Sequence, residues 1–163
     1  MKAIFSFPDP VNEKAARVVA AVVLATALAI LATGAYWLLI PLAYGFWARV
    51  LTGPTLSPLG RLAQNVVAPA LGEKKPVPGS PKRFAQGMGA VMSTAALAFA
   101  LVAGNHTVAD GLLVLLALAA GLESILAYCL GCKVFSLLIR AGLVPEAVCV
   151  ECADISTRLA ETR

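Results

Sequence analysis

Charged residues are scarce in this sequence: Asp, Glu, Lys and Arg make up 13% of its 163 residues, against about 25% in a typical soluble domain. Aromatics are few as well, at 7%, and His106 is the single histidine. With 60% hydrophobic residues, one domain of this length cannot hide its apolar surface from water, which points to a bilayer as its main solvent. The net charge of +4 does not indicate a nucleic-acid partner, because the aromatics lie mostly inside the apolar runs and not between the basic residues. A Gly-rich phosphate loop, an HExxH motif, a nucleophile elbow and a kinase signature are all missing, which removes the chemistries those motifs carry.

Long charge-free runs are what the sequence does have. Residues 18–48, between Arg17 and Arg49, include no charged side chain. That run is longer than the roughly 20 residues one span needs, and Thr33-Gly34 and Pro41 would interrupt a continuous helix. A hairpin with spans at 14–33 and 36–51 is expected. Residues 52–83 are turn-rich and basic. Within them, 59–71 is mildly amphipathic and suited to the interface, and Ser80-Pro81 reads as N-cap and first position of a third helix. No Lys or Arg occurs between Arg83 and Lys133, and Gly104-Asn105-His106 breaks that stretch. Further spans are expected at 83–102 and 108–128, the last continuing through Cys129 to Arg140 as an amphipathic extension, followed by an aqueous tail, 141–163.

The predicted fold class is therefore all-α: a polytopic, four-transmembrane-helix bundle. In this topology all 13 Lys and Arg share one face with the two termini, and the positive-inside rule places that face in the cytoplasm of the plasma (inner) membrane. Residues 1–17 mix acids with bases ahead of an apolar run longer than a signal core, so they are expected to stay attached.

All four cysteines lie near the C-terminal end, as Cys129-Leu-Gly-Cys132 and Cys149-Val-Glu-Cys152, with residues 133–148 between the pairs. Two readings compete. Paired CxxC motifs at this spacing match a four-thiolate zinc site. Alternatively, each pair closes a small disulfide, and one pair passes it to the other by thiol exchange. Spacing leaves both open, although cysteines three apart on a helix end share a face, which suits exchange.

Glu123 is an acid inside a span and a candidate proton relay to the thiols; the plainer alternative is a contact with Ser93 or Thr94. Asp110 is expected to favour the start of the fourth helix. His106 belongs to the turn opposite the cysteines. Lys82-Arg83 is read as an anchor, with a phosphate or lipid headgroup as the alternative. Ala85, Gly89 and Ser93 form a small-residue stripe for helix packing, and Trp37, Tyr44 and Trp47 are candidate interfacial aromatics.

The stretches 5–13 (FSFPDPVNE), 57–62 (SPLGRL), 79–86 (GSPKRFAQ), 122–124 (LES) running into Cys129-Leu-Gly-Cys132, and the closing Cys149-Val-Glu-Cys152 together resemble the bacterial membrane family called domain of unknown function 4395. That resemblance spans nearly the whole chain. It implies a four-span protein with paired cysteines, in a family whose members accompany thioredoxin-like and rhodanese-like proteins.

Three functions are compatible with these features. The first is thiol–disulfide exchange or sulfur handling by Cys129, Cys132, Cys149 and Cys152 with Glu123, in contact with a soluble thioredoxin-like or sulfurtransferase partner. By analogy with four-helix thiol oxidoreductases, a quinone would take the electrons. The second is a scaffold clamped by zinc on the same four cysteines, without catalysis. The third is a small sulfur-compound transporter, formed by a homo-oligomer around a path lined by Glu123.

Overall fold

The computed structural model describes residues 11–73 and 75–143. Among these described residues, every regular element apart from one small antiparallel strand pair is helical. Helix α1, Glu13–Thr33, begins at Asn12, whose side chain accepts a hydrogen bond from the Lys14 amide at 3.1 Å, the usual way to satisfy a free first-turn N–H. It ends at Gly34, which takes the left-handed conformation (φ 67°) and donates to the Ile30 carbonyl at 2.8 Å. A 3-10 turn, Tyr36–Leu38, leads into α2, Leu39–Thr52. Pro41 falls in the first turn of α2, where its missing N–H has no helical partner to lose.

The connection from α2 is helical in part. Ser57 caps α3, Pro58–Leu62, by accepting from the Gly60 amide at 3.1 Å. A π-helical turn, Ala63–Val67, joins α3 to the one-turn α4, Ala68–Ala70. This rim segment lies against α1. Strand β1, Val11–Asn12, pairs with β2, Pro76–Val77. Helix α5, Gly79–Leu97, runs on into a π-helical turn, Ala98–Val102. Helix α6, His106–Leu126, is capped by the Asn105 side chain, which accepts from the Val108 amide at 3.2 Å. Helix α7 covers Leu130–Arg140.

The chain is all-α, and among the described residues three helical stretches are long and apolar enough to cross a membrane: Glu13–Thr33, Gly79–Val102 and His106–Leu126. Helix α2 has 14 residues, or about 21 Å at 1.5 Å per residue, which is short of a bilayer core of about 30 Å. Consecutive helices are not always neighbours. Helix α1 packs mainly on α6, α2 on α5, and α5 also on α6 and α7, while α1 and α2 scarcely touch. Ile30, Leu39 and Leu113 are fully buried, whereas Leu28, Val91, Leu115, Leu118 and Ile125 face outward. Such an apolar exterior is what a lipid-facing surface requires.

Two expectations about boundaries need correction. Helix α5 starts at Gly79 after Pro78, so Ser80 lies inside its first turn and is not the cap. Nor does α6 continue through the cysteines. It stops at Leu126, and Ala127 adopts a left-handed conformation (φ 55°), which is unfavourable for a residue with a Cβ. The Arg17 guanidinium occupies that end, donating to the carbonyls of Ser124 (3.1 and 3.0 Å) and Ile125 (3.2 Å). A cation there satisfies orphan carbonyls and complements the helix dipole.

Candidate functional site at the basic rim

The break after α6 turns the chain so that Cys129 becomes the N-cap of α7, with its sulfur accepting from the Cys132 amide at 3.3 Å. Cys129 and Cys132 are joined as a disulfide across one helical turn, with Cα atoms 5.2 Å apart. They therefore do not sit at the end of the preceding helix. They open a separate amphipathic helix that lies on α5. Two contacts hold it there. Phe135 is buried, with its ring 5.4 Å from that of Phe84. Between the cysteines, Gly131 meets Ala85 so closely that a Cβ at 131 would collide with it. The small-residue stripe thus serves two partners: Ala85 receives Gly131 of α7, and Gly89 receives the Phe46 ring of α2.

Glu123 does not contact Ser93 or Thr94 through a hydrogen bond. Ser93 donates to the Gly89 carbonyl (2.7 Å), and Thr94 donates to the Ala90 carbonyl (2.7 Å) while accepting from Trp47 Nε1 (3.0 Å). The partner of Glu123 is Lys82, in an ion pair whose side chains are only 15% and 10% exposed respectively. Sequence reasoning treated Lys82 as an anchor and missed this. The signal was present: Lys82 is the fourth residue of α5 and Glu123 the fourth from the end of α6, which puts the two at one depth in antiparallel helices.

Arg49 and Gln86 were missed too. Arg49 is 6% exposed and packs over the Phe46 ring, 4.8 Å from its centroid. Its Nε donates to Gln86 Oε1 at 2.8 Å and its Nη1 to Ser57 Oγ at 3.4 Å, while Nη2 has no hydrogen-bond partner among the described residues. Arg83 donates to the Val50 carbonyl at 3.0 Å.

Two spaces meet at Cys129. An apolar cavity of about 270 Å³ lies among α1, α2, α5 and α6, lined by Phe46, Met88, Met92 and Leu116, with Gln86, Glu123 and Cys129 among its few polar groups. A groove of about 330 Å³ runs over the rim past Cys129, Cys132, Lys82, Tyr128 and Ser136. Cys149 and Cys152 lie outside the described residues. Among those described, no cluster of three or more His, Cys, Asp or Glu could hold a metal ion.

The opposite end of the bundle holds His106, stacked on Tyr36 at 4.5 Å, and Asp110, which accepts from the Tyr36 hydroxyl at 2.9 Å. Asp110 thus ties the first turn to α6 as well as lying near the start of that helix.

Neither the curated proteins nor the solved structures compared include a match to this chain. Residues 11–140 match the family described as Domain of unknown function (DUF4395); the stretch runs from the β1 strand to the last residue of α7, and the chain belongs to that family.

Proposed function

We propose that this protein is a four-span membrane protein of the plasma (inner) membrane with both termini in the cytoplasm, and that Cys129–Cys132 is its centre for thiol–disulfide exchange or sulfur handling with a soluble thioredoxin-like or rhodanese-like partner. The fourth span is the short α2 with its leading turn, flanked by the exposed Trp37 and Trp47 as belt residues. One observation carries the reading: the disulfide stands at the N-terminus of a rim helix that is pinned to the bundle, facing an open groove on one side and an apolar cavity on the other.

In this reading a partner thiolate approaches along the groove and attacks the Cys132 sulfur. A partner–Cys132 mixed disulfide forms, and Cys129 leaves as a thiolate. The Cys132 amide and the positive end of α7 stabilise negative charge at that position. The partner's second thiol then attacks its own bridged sulfur. The partner departs oxidised, and Cys129 and Cys132 hold two electrons and two protons as thiols. Cys149 and Cys152 would shuttle the same equivalents from the tail. Closing the pair again requires a two-electron, two-proton acceptor; a quinone in the apolar cavity, beside Cys129 and Glu123, would become the quinol as the Cys129–Cys132 bond reforms.

The test uses the full chain in lipid nanodiscs and a thioredoxin lacking its second, resolving cysteine. A mixed disulfide mapped by mass spectrometry to Cys132, formed from the oxidised pair, is the expected result. An adduct on Cys129 would reverse the two roles. A pair that does not respond to redox buffer, together with one equivalent of zinc and thiols that react only after chelation, would replace exchange with the four-thiolate scaffold.

A further inference from the structure

Two cations and one anion are withdrawn from solvent within the same wedge of the bundle. Arg49 is 6% and Lys82 8% exposed, and Glu123, the counter-ion of Lys82, leaves one positive charge in excess among the described residues of this wedge. A buried cation without a counter-charge is costly. Nor are the donors of Arg49 used up. The guanidinium presents its Nε–H and one Nη2–H along a single edge, the edge that grips carboxylates and phosphates. Here Nε is turned to Gln86, and Nη2, beside it on that edge, has no hydrogen-bond partner among the described residues.

Arg49 also lines a slot of about 60 Å³, whose mostly apolar wall includes Lys82, Gln86, Gln64, Gly60 and Ala15 among others. Liquid water occupies about 30 Å³ per molecule, so the slot has room for about two waters or one small anion. Two cationic side chains and two amides around so small a space, with Glu123 as the one counter-charge, form a donor set with one net positive charge.

The geometry points to a binding site for a single small oxyanion, sulfate- or phosphate-like, held by the unused Arg49 Nη2 donor with Lys82, Gln86 and Gln64 around it. The oxyanion neutralises the surplus charge and completes the hydrogen bonding of Nη2. A free anion and the phosphate of a lipid headgroup share this chemistry. The slot does not include the sulfur pair, although Lys82 and Gln86 also line the spaces beside it, and oxyanion binding does not depend on thiol exchange.

The experiment is calorimetric titration of the full chain in phosphatidylcholine nanodiscs with sodium sulfate and sodium phosphate, against sodium chloride at matched ionic strength. One saturable site for the oxyanions and none for chloride is expected. Arg49→Gln weakens binding at least tenfold, Arg49→Lys weakens it because the Nη2 donor is lost, and Gln64→Leu weakens it without touching the ion pair. Glu123→Gln removes the competing negative charge and tightens binding several-fold, an increase that misfolding cannot imitate. If free anions do not bind but phosphatidic acid in the disc raises the unfolding temperature in an Arg49-dependent way, the oxyanion is a headgroup and the site stands. Equal responses to sulfate and chloride, or binding indifferent to both Arg49→Gln and Glu123→Gln, would overturn it.

Discussion

The two ends of the bundle are closed by different means. At the far end, α1 stops at Gly34 and turns through Tyr36 into α2, and α6 starts from an asparagine cap. Its tertiary polar contacts include one hydrogen bond, Tyr36 to Asp110, and one ring stack, Tyr36 on His106. The basic rim is held by side chains from almost every element. Arg17 closes the end of α6, Lys14 donates to the Leu71 carbonyl at 2.7 Å, Arg49 reaches Gln86 and Ser57, Lys82 meets Glu123, and Lys75 pairs with Glu13 at 3.0 Å. Closing a helical bundle needs no more than the far end provides. Buried charges and a cysteine pair at the other end are in excess of what closure requires, and in a membrane protein such groups mark function.

This contrast can be broken or sharpened by substitution at each end. The largest effect is expected from Lys82→Met, which strands Glu123 among apolar neighbours. Removing one member of a buried pair costs about 3–5 kcal/mol, read as a loss of unfolding free energy in a denaturant titration in mixed micelles. The double variant Lys82→Met with Glu123→Leu should recover most of that loss. A double variant no more stable than the single would show that the charges are needed together for something other than their mutual cancellation.

Next is Gly131→Ala. Its new methyl group meets Ala85, and overpacking of this kind costs about 1–3 kcal/mol. Because α7 must lift from α5 to make room, disulfide exchange at Cys132 should change more than the unfolding midpoint does, measured as the rate of mixed-disulfide formation. An unaltered rate would mean that α5 does not hold the cysteine pair in its working position.

The smallest effect belongs to the far end. Tyr36→Phe removes one hydrogen bond to Asp110 at an open site, should lower the unfolding midpoint least of the three, and should leave exchange at Cys132 unchanged. A cost equal to that of Lys82→Met would abolish the distinction between the two ends.

Much of the fold was legible in the order of residues alone. The charge-free runs placed α1, α5 and α6 to within a few residues, because a span is a length of chain without charge. The breaks at Gly34 and at Gly104-Asn105 were legible as well, since left-handed backbone and side-chain caps are local chemistry. Less of the site could be read. Cys129, Cys132 and Glu123 stood out by residue type and position. Lys82, Arg49 and Gln86 resembled ordinary flanking residues, because a snorkelling lysine and a buried one have the same sequence context. Gly131 looked like one small residue between two cysteines, and nothing nearby in the chain pointed to Ala85 as its neighbour.

The sequence by itself determined where the long helices form, the breaks at Gly34 and Gly104-Asn105, and which end of the bundle collects the basic residues, because turn conformation and hydrophobic length act over a few neighbouring positions. Only the tertiary structure decided that α1 lies on α6 and α2 on α5, that Lys82 neutralises Glu123, that Arg49 keeps an unused donor, and that the cysteine pair opens a helix of its own. Each of those outcomes depends on groups from separate helices meeting at one depth, and the energies that favour such meetings are burial and charge pairing, which no local pattern encodes.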